Sequence, residues 1–93
     1  MSGYKAEFTK RLVDQLPELV GQFRDDEIRQ YARNGDIDGV LARARELHAL
    51  MPPRNELLQR ALAGEPRGAV TDSMRAGRVV THIETHRQLI DAL

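Results

Sequence analysis

Two histidines four residues apart, His82 and His86, are of a type and spacing that could bind a metal ion. On a helix this spacing puts both imidazoles on one face, where they can supply two ligands of a zinc ion. A metalloprotease motif has glutamate directly after the first histidine, whereas here Ile83 follows and Glu84 comes one residue later. The remaining histidine is His48, and the chain has no cysteine, so a third ligand is not evident. We therefore expect no cofactor and keep a metal site at His82 and His86 as an alternative.

Residues that could act as nucleophiles or as acid–base pairs are few and have simpler explanations. The serines are Ser2 and Ser73, and neither lies in the Gly-x-Ser-x-Gly pattern of a hydrolase. Acidic residues such as Asp25 and Asp26, and likewise Asp36, stand where helices are predicted to begin. Carboxylates in that position are stabilised by the positive end of the helix dipole, without any catalytic role. The sequence predicts a protein that is not an enzyme.

A helix-turn-helix unit that binds DNA is a second alternative, over residues 26–47. Arg43 and Arg45 on the second helix could then contact the nucleic acid. Asp36 and Asp38, however, occupy the N-terminal end of that helix, where their charge would repel phosphate. The chain also balances 14 basic against 14 acidic residues, whereas DNA-binding domains usually carry a basic excess. Binding to nucleic acid is therefore disfavoured.

The elements that must position these residues are helices, because apolar residues recur at intervals of three and four along most of the chain. Pro17 cannot continue a helix and is predicted to begin a new one. Asn55 is a predicted N-cap, and Thr71 or Asp72 is predicted to cap the last helix. We predict an all-α fold, a compact bundle of five or six helices that forms a single domain over residues 1–93. The predicted helices cover residues 4–16, 17–24, 25–33, 37–51, 56–63 and 72–93, with a loop at residues 64–70 before the last helix.

Composition also indicates where the protein works. The longest apolar runs are only a few residues, which is too short for a membrane span. The first residues have no apolar stretch behind a basic start, as a secretion signal would. With no cysteine available for a disulfide, we expect a cytoplasmic protein that does not contact membranes.

Binding to another protein is the function that the apolar pattern favours. The helices at 37–51 and 72–93 each carry an apolar stripe, which either closes the core or is covered by a partner or a second copy. We predict that the partner surface lies on the last helix, where the two histidines would serve as contacts or as a polar strip. The predicted partner-binding residues are Val79, Val80, Ile83, His86, Arg87, Ile90 and Leu93.

Residues 28–55 resemble a single helical hairpin of the tetratricopeptide type. Tyr31 in the first helix, Gly35-Asp36 at the turn and Pro52 after the second helix fall at the spacing of that family. The second helix departs from the family's alternation of small and aromatic residues. The resemblance implies a helical hairpin.

A second resemblance is to the TraM-type antiactivators of bacterial quorum sensing. Glu46-Leu47 followed by Pro52, and the segment at residues 83–88, are similar to patches in the two long helices of that family. The resemblance implies a helical regulator of transcription that binds and silences a LuxR-type activator. From it we expect a regulatory module that sequesters a partner protein, with such an activator as the candidate.

Overall fold

The computed structural model of the chain describes residues 2–64 and 68–93, with side chains at residues 3–64 and 71–93. Over these residues it has five α-helices and no β-strand. This confirms the predicted all-α class and the bundle of five or six helices. The helices are α1 (Ser2–Leu19), α2 (Asp26–Arg33), α3 (Ile37–Ala49), α4 (Arg54–Leu62) and α5 (Gly68–Ala92).

The core lies between α3 and α5, which form the most extensive helix pair, with α1 and α2 packed beside them. The apolar stripes of α3 and α5 therefore largely cover each other. Burying these side chains is the main favourable contribution to folding. The buried apolar residues are Leu12, Leu16, Val20, Phe23, Ile28, Ala32, Val40, Leu41, Ala44, Leu47, Ala76, Val79 and Ile83.

The first helix is longer than the sequence predicts, because α1 continues through Pro17 to Leu19. A proline inside a helix removes one backbone hydrogen bond and crowds the preceding turn, at a cost of about 3 kcal/mol. Here Leu12, Leu16 and Val20 are spaced by four residues and all are buried. Their burial on one helical face offsets that cost. The separate helix predicted at residues 17–24 is wrong, since residues 17–19 continue α1 and the chain forms turns after Leu19.

The helical hairpin of α2 and α3 begins and turns where the sequence predicts. The Asp25 carboxylate accepts a hydrogen bond from Ile28 N at the start of α2. At the start of α3 the Asp36 carboxylate accepts one from Gly39 N, at 2.9 Å. Between the helices, Gly35 has φ +69°, a left-handed conformation that glycine adopts without strain. The two carboxylates and the glycine thus define the hairpin.

Neither Thr71 nor Asp72 caps α5, because the helix begins earlier, at Gly68, and Asp72 has another role. Its buried carboxylate instead accepts hydrogen bonds from the backbone N–H groups of Arg24 and Asp25, at 3.0–3.1 Å. It therefore ties α5 to the segment that leads into α2, which is distant in sequence. Residues 65–67, in the middle of the predicted loop at residues 64–70, lie outside the described part of the chain.

Candidate functional site

The two histidines considered as metal ligands contact residues of α1. His86 Nε2 lies 2.9 Å from the backbone oxygen of Phe8, and His82 Nε2 lies 3.4 Å from Oε1 of Gln15. The His86 ring also meets the Phe8 ring edge-on, with centroids 6.2 Å apart. Within the described residues, no group of three histidine or acidic side chains is arranged to hold a metal ion. The geometry therefore assigns both histidines to contacts between α5 and α1.

The arginines of the helix-turn-helix alternative are also paired within the chain. Arg43 lies 2.7 Å from a carboxylate oxygen of Asp25 and 2.9 Å from one of Glu46. The Arg43 guanidinium, by hydrogen bonding to Asp25, holds the pKa of that carboxyl below its usual value. Arg45 pairs with Glu84 of α5 at 2.8 Å. Contact with a DNA groove would require these ion pairs to open.

Two of the seven residues predicted to bind a partner on α5 lie inside the bundle, and the other five are half-buried or exposed. Val79 and Ile83 are buried core residues, which corrects the expectation that they form surface contacts. The stripe that they continue is covered by α3 of the same chain. Val80 packs against the core, and Ile90 is half-buried. His86 contacts α1, and Arg87 forms an ion pair with Asp38. Of the seven predicted residues, Leu93 is the one that is largely exposed.

The unusual element is α4, which is a helix without a place in the core. None of its nine residues is buried. Within the described residues, no Cα atom of α4 lies within 8 Å of a Cα atom in another helix. The helix starts at Arg54, with Pro53 as its N-cap residue and no side-chain capping bond. The prediction that Asn55 caps a helix beginning at Glu56 is therefore wrong.

The apolar side of α4 faces solvent rather than the bundle. With 3.6 residues per turn, Leu57, Leu58, Ala61 and Leu62 fall on one side of the helix. Leu58 is 64% exposed and Leu62 is 81% exposed. Glu56 and Arg60 lie on the opposite side and form an ion pair at 2.9 Å. The arrangement is that of an amphipathic helix turned outward.

We group this face with the exposed apolar side chains at the end of α3 and in the adjoining groove, and we call the set the arm surface. Between α4 and α5 lies an open groove of about 900 Å³, whose lining includes Arg54, Leu57, Leu58 and Met74. Leu50 and Met51, at the end of α3, are also exposed. The arm surface consists of Leu50, Met51, Leu57, Leu58, Ala61, Leu62 and Met74.

A helix as short as α4, with most of its apolar side exposed, is not expected to be stable by itself. Isolated helices shorter than about 12–15 residues are marginal in water, and most helical stability comes from packing. The exposed fractions of the five large side chains Leu50, Met51, Leu58, Leu62 and Met74 amount to roughly three whole side chains. Covering them would contribute on the order of 5–9 kcal/mol before the costs of association. Among the described residues, those of the arm surface would therefore bury the most apolar surface on contact with another protein.

Sequence reasoning found α4 but did not identify it as a binding element. Its apolar residues follow the same periodicity as those of a core helix. The sequence feature that bears on this is the position of α4 between Pro52-Pro53 and Gly64. These residues separate a short helix from its neighbours at both ends, but they do not reveal which way its apolar face points.

Within the part of the chain that the structure describes, no helix combines the length and hydropathy needed to cross a membrane. No known protein family matches the sequence, and neither a curated protein nor a solved structure gives a match. The resemblances to TraM-type antiactivators and to tetratricopeptide hairpins stay predictions. The arm surface therefore has to be interpreted from its own geometry and chemistry.

Proposed function

We propose that this protein is a non-enzymatic, regulatory protein-binding module that uses the arm surface to sequester a partner protein in the cytoplasm. One observation carries the proposal: α4 presents Leu58 and Leu62 to solvent and, within the described residues, none of its Cα atoms lies within 8 Å of a Cα atom in another helix. Large exposed apolar patches on folded proteins mark sites of interaction. The same face would be a liability for a chain that had no partner.

The chemistry of the arm surface defines what it binds. Leu58 and Leu62 are four residues apart, with Leu57 and Ala61 beside them, which is the spacing of an amphipathic helix that docks into an apolar groove. The chain has no net charge, so attraction by long-range electrostatics is not the driving force. The partner is a protein with an apolar groove that receives two turns of helix.

We propose a LuxR-type transcription activator as that partner, because of the resemblance to TraM-type antiactivators. In this role the chain inactivates the activator by forming a complex and needs no catalytic group. Arg43 and Arg45 are engaged in ion pairs, and His82 and His86 contact α1, so no observation favours the DNA-binding or metal-binding alternatives.

The test is a titration of a purified LuxR-type activator from the same cells with three forms of the chain. We expect the wild-type chain to bind, and the double variant L58E/L62E to bind at least about 100-fold more weakly, because two buried carboxylates would face an apolar groove. The matched control is L89E, since Leu89 is 63% exposed but lies on α5, away from the arm surface. It should bind like wild type.

Two results would contradict the proposal. If L58E/L62E binds the activator as tightly as the wild-type chain, the arm surface is not the docking site. If the wild-type chain fails to bind at concentrations up to about 100 µM, which corresponds to a very weak complex, the antiactivator assignment is wrong. Circular dichroism of all three forms confirms that each is folded.

A further inference from the structure

The arm surface contains both halves of a self-complementary contact. One half is the outer edge of the apolar side of α4, which we call the ridge and which carries Leu62, 81% exposed. The other half is the groove of about 900 Å³ between α4 and α5, with Leu57 and Met74 in its lining. An interface with two-fold symmetry requires one patch to fit an identical patch. A ridge beside a groove of the same apolar chemistry meets that requirement.

The charges around α4 favour an antiparallel arrangement of two copies. Arg54 is the first residue of the helix and lines the groove on its apolar side. In an antiparallel pair, each Arg54 would approach the C-terminal end of the other α4, where a cation is favourable. The ion pair of Glu56 and Arg60 lies on the opposite side of the helix and would remain in water.

The size of the arm surface indicates a weak dimer rather than a permanent one. It exposes roughly three whole apolar side chains per copy. Stable interfaces bury about 800 Å² per partner, with some 20–30 residues on each side. The seven residues of the arm surface form a smaller patch than that. A dissociation constant on the order of tens of micromolar suits a contact of this size.

We infer that the free chain self-associates into a two-fold dimer, in which α4 of each copy docks on the arm surface of the other. This inference rests on the proposed function for its consequence, because a partner protein would compete with the second copy for the same surface. Self-association would then keep the arm surface covered while no partner protein is bound. The arm surface becomes available to the partner as the dimer dissociates.

Sedimentation equilibrium of the pure chain from about 1 to 500 µM tests the dimer, because mass action requires the average mass to rise over this range. We expect the wild-type mass to rise from one chain to two. The variant L62E should remain monomeric throughout, while the control L89E should dimerise like wild type. Leu62 is 81% exposed, so its replacement leaves the monomer folded.

A second readout uses the absence of cysteine from the chain. A single cysteine introduced as L58C, at the middle of the apolar side of α4 where the two-fold axis of an antiparallel pair would pass, should form disulfide-linked dimers in air-equilibrated buffer at least about tenfold faster than one introduced as Q59C, on the polar side. Equal rates would show that α4 does not face a second copy.

The outcomes separate this inference from the proposed function. A wild-type chain that stays monomeric up to about 500 µM, where a contact of this strength would be nearly saturated, overturns self-association. Binding of the activator by that same monomer would leave the proposed function intact. A dimer that persists in L62E would place the contact on another surface and likewise overturn the inference.

Discussion

Replacement of Asp72 by alanine should lower the free energy of unfolding by about 3 kcal/mol, since hydrogen bonds to a charged group contribute about 1.5–3 kcal/mol and a buried donor left without a partner adds to the loss. Asp72 is only 7% exposed, and its carboxylate accepts hydrogen bonds from the N–H groups of Arg24 and Asp25. Alanine would leave both donors without this acceptor. A domain of this size has a total stability of about 5–14 kcal/mol, so the change is a large fraction of it.

Urea unfolding followed by circular dichroism measures this effect. The variant D72N should lose about 2 kcal/mol, because its amide oxygen can still accept a hydrogen bond while its charge is gone. The matched control is D91A, since Asp91 is an exposed aspartate near the end of α5. It should change stability by less than about 0.5 kcal/mol. A D72A variant as stable as D91A would show that the carboxylate does not hold α5 to the start of α2.

Two leucine-to-alanine substitutions remove the same atoms but should change the stability of the monomer by very different amounts. Leu16 is fully buried, and L16A should cost about 3–4 kcal/mol through lost burial and the cavity left behind. Leu62 is 81% exposed, and L62A should leave the stability of the monomer within about 0.5 kcal/mol of wild type. The contrast distinguishes a core side chain from one that contributes only when another protein covers it.

Both variants are compared by urea unfolding at about 1 µM, a concentration at which a weak dimer dissociates. At high concentration or with the partner present, L62A should fall below wild type in apparent stability, because it binds less well. A large loss of monomer stability in L62A would mean that α4 packs on its own bundle. That result would remove the basis of the arm surface.

The parts of the fold that could be predicted are those fixed by local chemistry. Asp36 before a run of helix-forming residues, and Gly35 where the backbone turns left-handed, define the hairpin of α2 and α3. Pro17 misled the prediction because a local rule competes with tertiary packing. The rule ends the helix at proline, whereas the burial of Leu16 and Val20 continues it.

The sequence predicts that an apolar helix face binds a partner, but it does not predict which helix carries that face. Periodicity identifies an apolar face on a helix, but it does not state whether another helix of the same chain covers that face. On α5 the face of Val79 and Ile83 is covered by the bundle, and on α4 the face of Leu58 and Leu62 is open. The role of Asp72 could not be predicted for a similar reason, because the two N–H groups that donate to its carboxylate lie far away in sequence.

Amide hydrogen exchange of α4 tests most directly the claim that its apolar face is a docking surface for protein. In the dilute chain at about 1 µM, we expect the amides of Arg54–Leu62 to exchange rapidly, because a short uncovered helix opens readily. At high chain concentration, or with the activator bound, they should exchange at least about tenfold more slowly, while the α3 amides stay slow throughout. If the α4 amides of the dilute monomer are as protected as those of α3, the helix needs no other protein to cover it, and the claim is wrong.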